Sequence, residues 1–206
     1  MSQFFRIHPE NPQKRLISQA AAIVEAGGVV VYPTDSSYAL GCRIGDRAAM
    51  DRIAAIRKLG PQHQFTLACR DLSEIAAHAR LGTPDFRLMK AHTPGPYTFV
   101  LPATREVPKR LLHPRRRTIG IRVPGNGIAR ALLEALGAPL LTTTLILPGN
   151  TSPETDPEQI RARLENAVDL VIDGGPGEDA VTTVIDLVGS EPVVVRPGKG
   201  EVAFLP

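Results

Sequence analysis

The sequence predicts a single α/β domain over residues 1–206, built on a mixed β-sheet with helices on its faces. Apolar stripes with helical spacing alternate with short apolar runs along most of the chain. Strands separated by helices need crossover connections, whereas the closing strands can pair as hairpins. The length of 206 residues corresponds to one domain, and 43% hydrophobic with 22% charged residues excludes disorder, collagen and coiled coil.

The first half of the chain contains four predicted helices and two predicted strands. Asn11 caps the first helix, whose first position is Pro12 and which ends at Gly27 and Gly28. Apolar runs predict strands at residues 29–32 and 65–69. The other helices start at the cap Asp46, at a capping box of Asp71 and Glu74, and at the pair Thr83 and Pro84.

The second half continues with strands at residues 97–101, 118–123 and 140–147. A helix capped near Asn126 and stopped by Gly137 separates the last two, and Asp156 with Pro157 opens another. Three short β-rich runs close the chain, around residues 168–172, 181–187 and 193–196. The segment 148–157 is rich in Pro, Gly and Thr and is predicted to be a surface loop.

Charge is distributed unevenly along the chain, whose net charge is +3. Residues 151–206 carry 4 Lys/Arg and 11 Asp/Glu, which leaves 20 and 10 in residues 1–150. A basic segment of this kind favours an anionic partner, although a loop whose charges only aid solubility is an equal alternative. The densest run comprises Arg105, Lys109, Arg110, Arg115, Arg116, Arg117 and Arg122.

Several classes of protein lack their signature in this sequence. No stretch approaches the roughly 18 apolar residues of a membrane span, and the N-terminal segment is charged, so we expect a cytoplasmic protein. Cys42 and Cys69 have no CxxC spacing, and we expect both to be buried apolar side chains. The motifs GxGxxG, GxxxxGK[ST], GxSxG and HExxH are absent.

Polar residues instead collect at the ends of apolar strands, where open α/β sheets bind their ligands. They occur in residues 33–38 (PTDSSY), in Arg57 with Lys58, in residues 93–98 (TPGPYT), at Arg122, in residues 142–144 (TTT), in residues 182–183 (TT) and at Arg196.

Seven sequence motifs lie in order between residues 31 and 198. They read YPTDSSYALGC, FTLACRDLSE, TPGPYTFVLPAT, TIGIRVP, APLLTTT, TTVIDL and VVVRPG. Together they make the chain resemble the YrdC/YciO family, most closely its YciO branch. This resemblance implies a twisted sheet with a concave, positively charged cavity. For the family at large it implies synthesis of threonylcarbamoyl-adenylate, an intermediate in the t6A modification of tRNA.

The resemblance implies ATP, L-threonine and bicarbonate as ligands, with Mg²⁺ accompanying ATP. On this interpretation the cations Arg57, Lys58, Arg122 and Arg196 face phosphates, Thr144 and Thr182 donate hydroxyl contacts, and Thr34 and Tyr38 shape the amino-acid end. The alternatives stay open: a solvated helix end for the Arg-Lys pair, ordinary β-forming threonines, and a core tyrosine. The sequence predicts no catalytic side chain and no metal-ligand set.

Two departures from the family pattern bear on activity. Active synthases of the family carry Lys-x-Arg and, later, Ser-x-Asn around the nucleotide phosphates. Here the first motif reads Arg57-Lys58-Leu59 and the second reads Thr144-Leu145-Ile146. The loss of a cation and an amide costs on the order of 1–3 kcal/mol each, so we expect weak or altered synthase activity.

An RNA-binding module, for double-stranded RNA or tRNA, is the alternative to an enzyme. The resemblance also implies RNA binding, and without an RNP1 or GXXG signature the contacts would be mainly to phosphate. A third option, carbamoyl transfer as in hydrogenase maturation, has no support over the first two. The predicted RNA-binding residues are Lys109, Arg110, Arg115, Arg116 and Arg117.

Overall fold

A ten-stranded mixed sheet organises the chain. The computed structural model describes residues 1–60 and 63–205. The strand order is β1-β8-β2-β3-β7-β4-β6-β5-β9-β10. The strands are β1 (Gln3–Arg6), β2 (Val30–Pro33), β3 (Tyr38–Arg43), β4 (Thr66–Ala68), β5 (Tyr97–Pro102), β6 (Thr118–Arg122), β7 (Leu140–Thr144), β8 (Leu170–Asp173), β9 (Thr183–Asp186) and β10 (Val193–Arg196).

Four of the six α-helices in the described chain begin at a side-chain acceptor. Asp46, Asp71, Asn126 and Asp156 each accept a hydrogen bond from the first turn of the helix that follows, as predicted. They are α1 (Lys14–Glu25), α2 (Arg47–Arg57), α3 (Leu72–His78), α4 (Thr83–His92), α5 (Gly127–Leu136) and α6 (Pro157–Leu164), with a short 3₁₀ helix at Lys109–Leu111. The predicted fold class, an α/β protein with helices on both faces of a mixed sheet, is confirmed.

The start predicted for the first helix is wrong by two residues. Residues 8–13 form a turn around His8, whose Nδ1 accepts from the backbone N–H of Asn11 and whose own N–H donates to the side chain of Gln13. The first helical bond therefore runs from the N–H of Ile17 to the carbonyl of Gln13. This turn uses the Asn11–Pro12 segment, which precedes the helix and does not cap it.

The sequence prediction missed β1 and β3. It found a strand near β8 but expected the closing strands to pair as hairpins, which is wrong for β8. Strand β3 contains Ala39, Gly41 and Cys42, which are not strong strand formers. A Cβ atom at Gly41 would lie 2.6 Å from Leu140 Cδ2, so close strand packing explains the glycine. Of the closing strands, β9 and β10 form the predicted antiparallel pair, whereas β8 lies parallel to both β1 and β2.

Two hydrophobic clusters lie on opposite faces of the sheet. The larger cluster packs α2, α3, α4 and α6 against side chains such as Phe99, Ile121 and Ile185. The smaller packs α1 and α5 against β8, β2, β3 and β7, and reaches Ala68 at the end of β4. In the described chain this second cluster includes no residue of β6, β5 or β9, so half of one sheet face has no helix over it. Within residues 1–60 and 63–205, every helix is too short or too polar to cross a membrane.

Candidate anion-binding cavity

A cavity of about 340 Å³ lies on the half-face of the sheet that α1 and α5 leave open. Successive side chains of a strand point to opposite faces, so one set of alternate residues forms the floor and the other set enters the core. The lining includes four arginines and one carboxylate among the described residues, which makes it cationic. The floor residues of β6, β5 and β9, with the residue before β9, are Thr98, Val100, Thr118, Gly120, Arg122, Thr182, Val184 and Asp186.

Gly120 lies at the middle of this floor. Register pairs place Thr66, Gly120 and Val100 side by side on three neighbouring strands. A Cβ atom at Gly120 would lie 3.1 Å from Thr66 Oγ1 and 3.3 Å from Thr98 Cγ2, which is tighter than ordinary contact. The absence of a side chain at this position therefore deepens the cavity.

Arg122 forms a buried ion pair with Asp35 at one end of the cavity. Its Nη2 donates to Asp35 Oδ1, and Asp35 Oδ2 accepts from the backbone N–H of Gly125 at 3.1 Å. Arg122 is 6% exposed and lines the cavity, while its buried Nε has no partner in the described chain. A buried guanidinium with one unsatisfied N–H suits an anionic ligand.

Arg196 approaches the same cavity from the edge strand β10. Its Nη2 donates to the carbonyl of Thr182 at 2.9 Å and lies 3.2 Å from the Thr182 hydroxyl. The Thr182 hydroxyl is also 2.9 Å from that of Thr98 on β5. Burial lowers the pKa of Arg196 from its usual value, but an arginine remains charged at neutral pH. The sequence assigned Arg196 and Thr182 to one ligand site, and the structure brings their side chains into contact.

Arg57, the last residue of α2, lies beside the end of β7. Its Nη1 donates to the Thr143 hydroxyl at 2.6 Å, and its Nε donates to the carbonyl of Ile146 at 3.1 Å. Burial lowers the pKa of Arg57 from its usual value. Thr144 and the side chain of Ile146 also line the cavity. Of the two departures from the family pattern, Ile146 lines the cavity and Leu59 is not among the described lining residues.

His63 is a lining residue that sequence reasoning missed. Its Nε2 lies 3.0 Å from the Thr143 hydroxyl, and its ring packs edge-on against Phe65. Burial, with a further contribution from the charge of Arg57, lowers the pKa of His63 to about 4. No spacing motif marks this histidine, because its partners come from distant segments.

The basic run contributes His113 and Arg116 to the cavity as well. Arg116 Nη2 lies 2.5 Å from Asp186 Oδ2 on β9, so this ion pair joins the β5–β6 connection to the floor. His113 Nδ1 accepts from the backbone N–H of Arg116 at 3.1 Å, which holds the turn closed. Arg116 was predicted as an RNA-binding residue, and the structure places it on the cavity rim.

Three predicted ligand residues lie outside the described lining. Thr34 Oγ1 donates to the carbonyl of Ser37 at 2.7 Å and so forms the turn that carries Asp35. The hydroxyl of Tyr38 donates to the carbonyl of Gly175 at 2.6 Å inside the protein, and burial raises its pKa to about 12. Lys58 is an exposed residue with φ of 50° that ends α2. Thr34 and Tyr38 thus have hydrogen-bond partners within the protein.

The other predicted RNA-binding residues form an exposed basic surface. Lys109, Arg110, Arg115 and Arg117 are all exposed. Arg110 donates to the carbonyl of Gly45. Arg117 closes a turn by donating from its backbone N–H to the carbonyl of His113 at 2.9 Å. We call these four residues the basic surface.

Fold and site together define a mixed α/β protein with an arginine-lined cavity on an open half-face of its sheet. Comparison with known proteins identifies the family. The sequence model of the Sua5/YciO/YrdC family, described as "Telomere recombination", matches residues 22–198. The chain belongs to this family, which confirms the resemblance seen in the seven motifs.

Three relatives place the chain within the family. YciO of Escherichia coli K12 is 60% identical over 202 residues, 98% of each chain. The crystal structure of E. coli YciO has a TM-score of 0.96 at 59% identity and covers 100% of both chains. A threonylcarbamoyl-AMP synthase of Chromobacterium violaceum is 37% identical over 149 residues, 71% of this chain and 76% of its own. P. abyssi Sua5 complexed with L-threonine has a TM-score of 0.87 at 26% identity, over 96% of this chain and 58% of Sua5.

Proposed function

We propose that this chain binds ATP and L-threonine in the arginine-lined cavity and, with bicarbonate, forms threonylcarbamoyl-AMP for tRNA t6A modification. The observation that carries the proposal is the convergence of Arg57, Arg122 and Arg196 on one cavity from distant parts of the sequence. The choice of ligands is supported by the similarity of the chain to a threonylcarbamoyl-AMP synthase and to a Sua5 complexed with L-threonine.

The two ends of the cavity suit the two ligands of this proposal. Arg122, Arg196 and Thr182 all line the cavity, and two guanidinium groups with a hydroxyl are suited to a carboxylate. Arg57 and the Thr144 hydroxyl, at the end of β7, suit phosphate oxygens. We therefore assign the amino acid to the Arg122 end and the nucleotide phosphates to the Arg57 end.

The reaction demands charge neutralisation more than a nucleophilic side chain. Threonine and bicarbonate condense to a carbamate with loss of water. A carbamate oxygen then bonds to the α-phosphorus of ATP, while the bond to pyrophosphate breaks and its electron pair leaves with that group. Arginines held in place before the reaction stabilise the charge that develops on the phosphate oxygens.

Mg²⁺ enters this proposal with ATP, where it would neutralise charge on the departing pyrophosphate. The donors of the cavity fit that arrangement. The oxygen-bearing side chains among the described lining residues are threonine hydroxyls, the Gln64 amide and the carboxylate of Asp186, which is already paired with Arg116. Among the described residues no three His, Cys, Asp or Glu side chains are grouped to hold a metal by themselves.

The proposed activity is slow because Ile146 presents an apolar side chain to the cavity. An amide at this position could donate to a phosphate oxygen, which an isoleucine cannot do. The loss of one hydrogen bond to a charged group costs about 1.5–3 kcal/mol, or about one to two decades of rate. We therefore propose a synthase with reduced turnover.

Calorimetric titration with ATP and Mg²⁺, with and without L-threonine and bicarbonate, tests the proposal. The wild type is expected to bind ATP, and more tightly with threonine present. Arg57→Ala is expected to weaken binding by about tenfold to a hundredfold. Arg47→Ala is the matched control, since Arg47 lies on the same helix with its side chain 82% exposed. Pyrophosphate release above a protein-free blank supports catalysis, and the absence of ATP binding by the wild type overturns the proposal.

We propose RNA binding at the basic surface as a second function. The exposure of Lys109, Arg115 and Arg117 on the connection between β5 and β6 favours it. Contacts of this kind are to phosphate and depend on salt concentration. Binding of a double-stranded RNA that is equally strong at low and moderate salt would contradict this function.

A further inference from the structure

The hydroxyl of Thr143 lies between a guanidinium and an imidazole. Thr143 Oγ1 is 2.6 Å from Arg57 Nη1 and 3.0 Å from His63 Nε2. All three residues line the cavity, and Thr143 is buried. They come from α2, the segment before β4 and strand β7, so this contact fixes three separate parts of the chain to one another.

Counting protons sets the direction of both hydrogen bonds. A guanidinium N–H can only donate, so the Thr143 oxygen accepts from Arg57. The hydroxyl has one proton of its own, and His63 Nε2, 3.0 Å away, is a neighbouring atom that can accept it. A buried hydroxyl proton without an acceptor costs free energy, so Thr143 donates to His63 Nε2. The imidazole therefore carries its proton on Nδ1.

This arrangement leaves most of the Arg57 guanidinium available. Its Nε donates to the carbonyl of Ile146 and one Nη1 proton goes to Thr143, so three of its five N–H groups have no partner in the described chain. Two anchors on different atoms prevent the planar group from rotating. A donor held in position before binding loses less conformational freedom when a ligand arrives.

We propose that His63 is a positioning residue of the cavity: by accepting the Thr143 proton it holds Thr143, and through Thr143 it holds Arg57 in the orientation that receives an anionic group of the ligand. The identity of that group as an ATP phosphate rests on the proposed function. The relay His63–Thr143–Arg57 itself does not depend on it.

The electrostatic surroundings keep His63 in the form that the relay needs. The pKa of His63 is lowered to about 4 by burial and by the charge of Arg57, which is the charged group acting on it in the described chain. The imidazole is therefore neutral at pH 7 and can accept a proton at Nε2. A protonated imidazole could not accept, and would put a second cation beside Arg57.

Nuclear magnetic resonance of the ligand-free protein tests the relay directly. At pH 7 the ¹⁵N shifts of His63 are expected to report a neutral ring protonated on Nδ1, and Thr143→Val is expected to change them. The Arg57 Nη1–H that donates to Thr143 is expected to exchange slowly in the wild type and in His63→Gln, whose amide oxygen can accept the Thr143 proton, and quickly in His63→Leu. A ring protonated on Nε2, or an Arg57 signal equal in all variants, overturns the inference.

ATP titration supplies the functional test. His63→Leu and Thr143→Val are each expected to weaken ATP binding about tenfold. The double variant is expected to weaken it no further, because either single change already disrupts the same chain of contacts to Arg57. His63→Gln and Thr143→Ser are expected to restore most of the affinity. His8→Leu, a histidine outside the cavity lining, is the control.

The two tests separate the inference from the proposed function. If the wild type binds no ATP while the resonance results hold, the proposed function fails and the positioning of Arg57 stands. If the wild type binds ATP and the His63 and Thr143 variants bind it equally well, the positioning role fails and the nucleotide site stands. Additive losses in the double variant would also contradict a shared relay.

Discussion

Asp35 and Arg122 form an ion pair whose side chains are only 13% and 7% exposed. The pair joins the turn between β2 and β3 to the end of β6, across 87 positions of the sequence. The ion pair therefore fixes these two segments to each other and holds the Arg122 guanidinium in the cavity lining.

Removal of the Asp35 carboxylate is expected to destabilise the fold. Asp35→Ala leaves Arg122 buried without its counter-charge and should lower the free energy of unfolding by about 3 kcal/mol, the lower end for a broken buried pair, because Arg122 also faces the cavity. Urea unfolding measures this value. Asp51→Ala breaks the exposed pair with Arg47 and is expected to cost less than about 0.5 kcal/mol. Equal losses in the two variants would contradict a structural role for the Asp35–Arg122 pair.

The stability of the protein is expected to depend on pH through His63. The pKa of this residue is lowered from 6.5 to about 4 in the folded chain, so the unfolded chain takes up the proton first as the pH falls. The contribution of the neutral imidazole to the free energy of unfolding is complete above pH 6.5 and is lost as the pH falls from 6.5 to about 4. Urea unfolding at several pH values should show a steeper loss in the wild type than in His63→Gln. The carboxylates titrate in both proteins, so parallel curves would count against a neutral buried imidazole.

Replacement of Ile146 by asparagine is expected to raise the proposed synthase activity. The new amide can donate to a phosphate oxygen, and one such hydrogen bond corresponds to about a tenfold gain in rate. Pyrophosphate release measures the effect. Ile146→Ala removes the apolar side chain without adding a donor and is the control for cavity volume. If the alanine variant gains as much as the asparagine variant, the amide has no role.

The RNA-binding function makes a prediction about salt dependence. Arg115, Arg116 and Arg117 are all exposed, but Arg116 is paired with Asp186 in the cavity lining. The double variant Arg115→Ala/Arg117→Ala should reduce the salt slope of RNA binding by up to about two, and the further change Arg116→Ala should add less than one. Filter binding at several salt concentrations measures the slope. Arg15→Ala/Arg130→Ala removes the same charge from α1 and α5 and is expected to leave the slope unchanged.

Local signals in the sequence predicted the helices better than the strands. The caps at Asp46, Asn126 and Asp156 act through residues two or three positions away, so a short window contains both partners. Strand β3 depends on close packing of Gly41 against Leu140, which is visible only when the sheet is formed. The same limit applies to β8, whose neighbours β1 and β2 lie more than 130 residues before it.

The sequence placed the candidate site outside the strand ends, whereas the cavity lies over the face of the sheet, with Arg57 and Arg122 at opposite ends. Arg57, Arg122, Arg196, Thr144 and Thr182 were predicted from their positions at strand or helix ends, and all five line the cavity. The roles of Asp35 and His63 were not predictable, because each depends on a partner about 80 residues away or more. For Tyr38, burial and a hydrogen bond to Gly175 explain a polar group that the sequence placed near the ligand.

Gly120, at the centre of the cavity floor, sets the depth of the cavity, whereas the arginines set its charge. A methyl group at position 120 would crowd the ends of the Thr66 and Thr98 side chains, and the Thr98 hydroxyl lies 2.9 Å from that of Thr182. The backbone there is in an ordinary strand, so alanine is sterically allowed. Gly120→Ala would therefore make the floor shallower without removing any arginine, and a ligand that lies flat on the sheet would be rejected by shape.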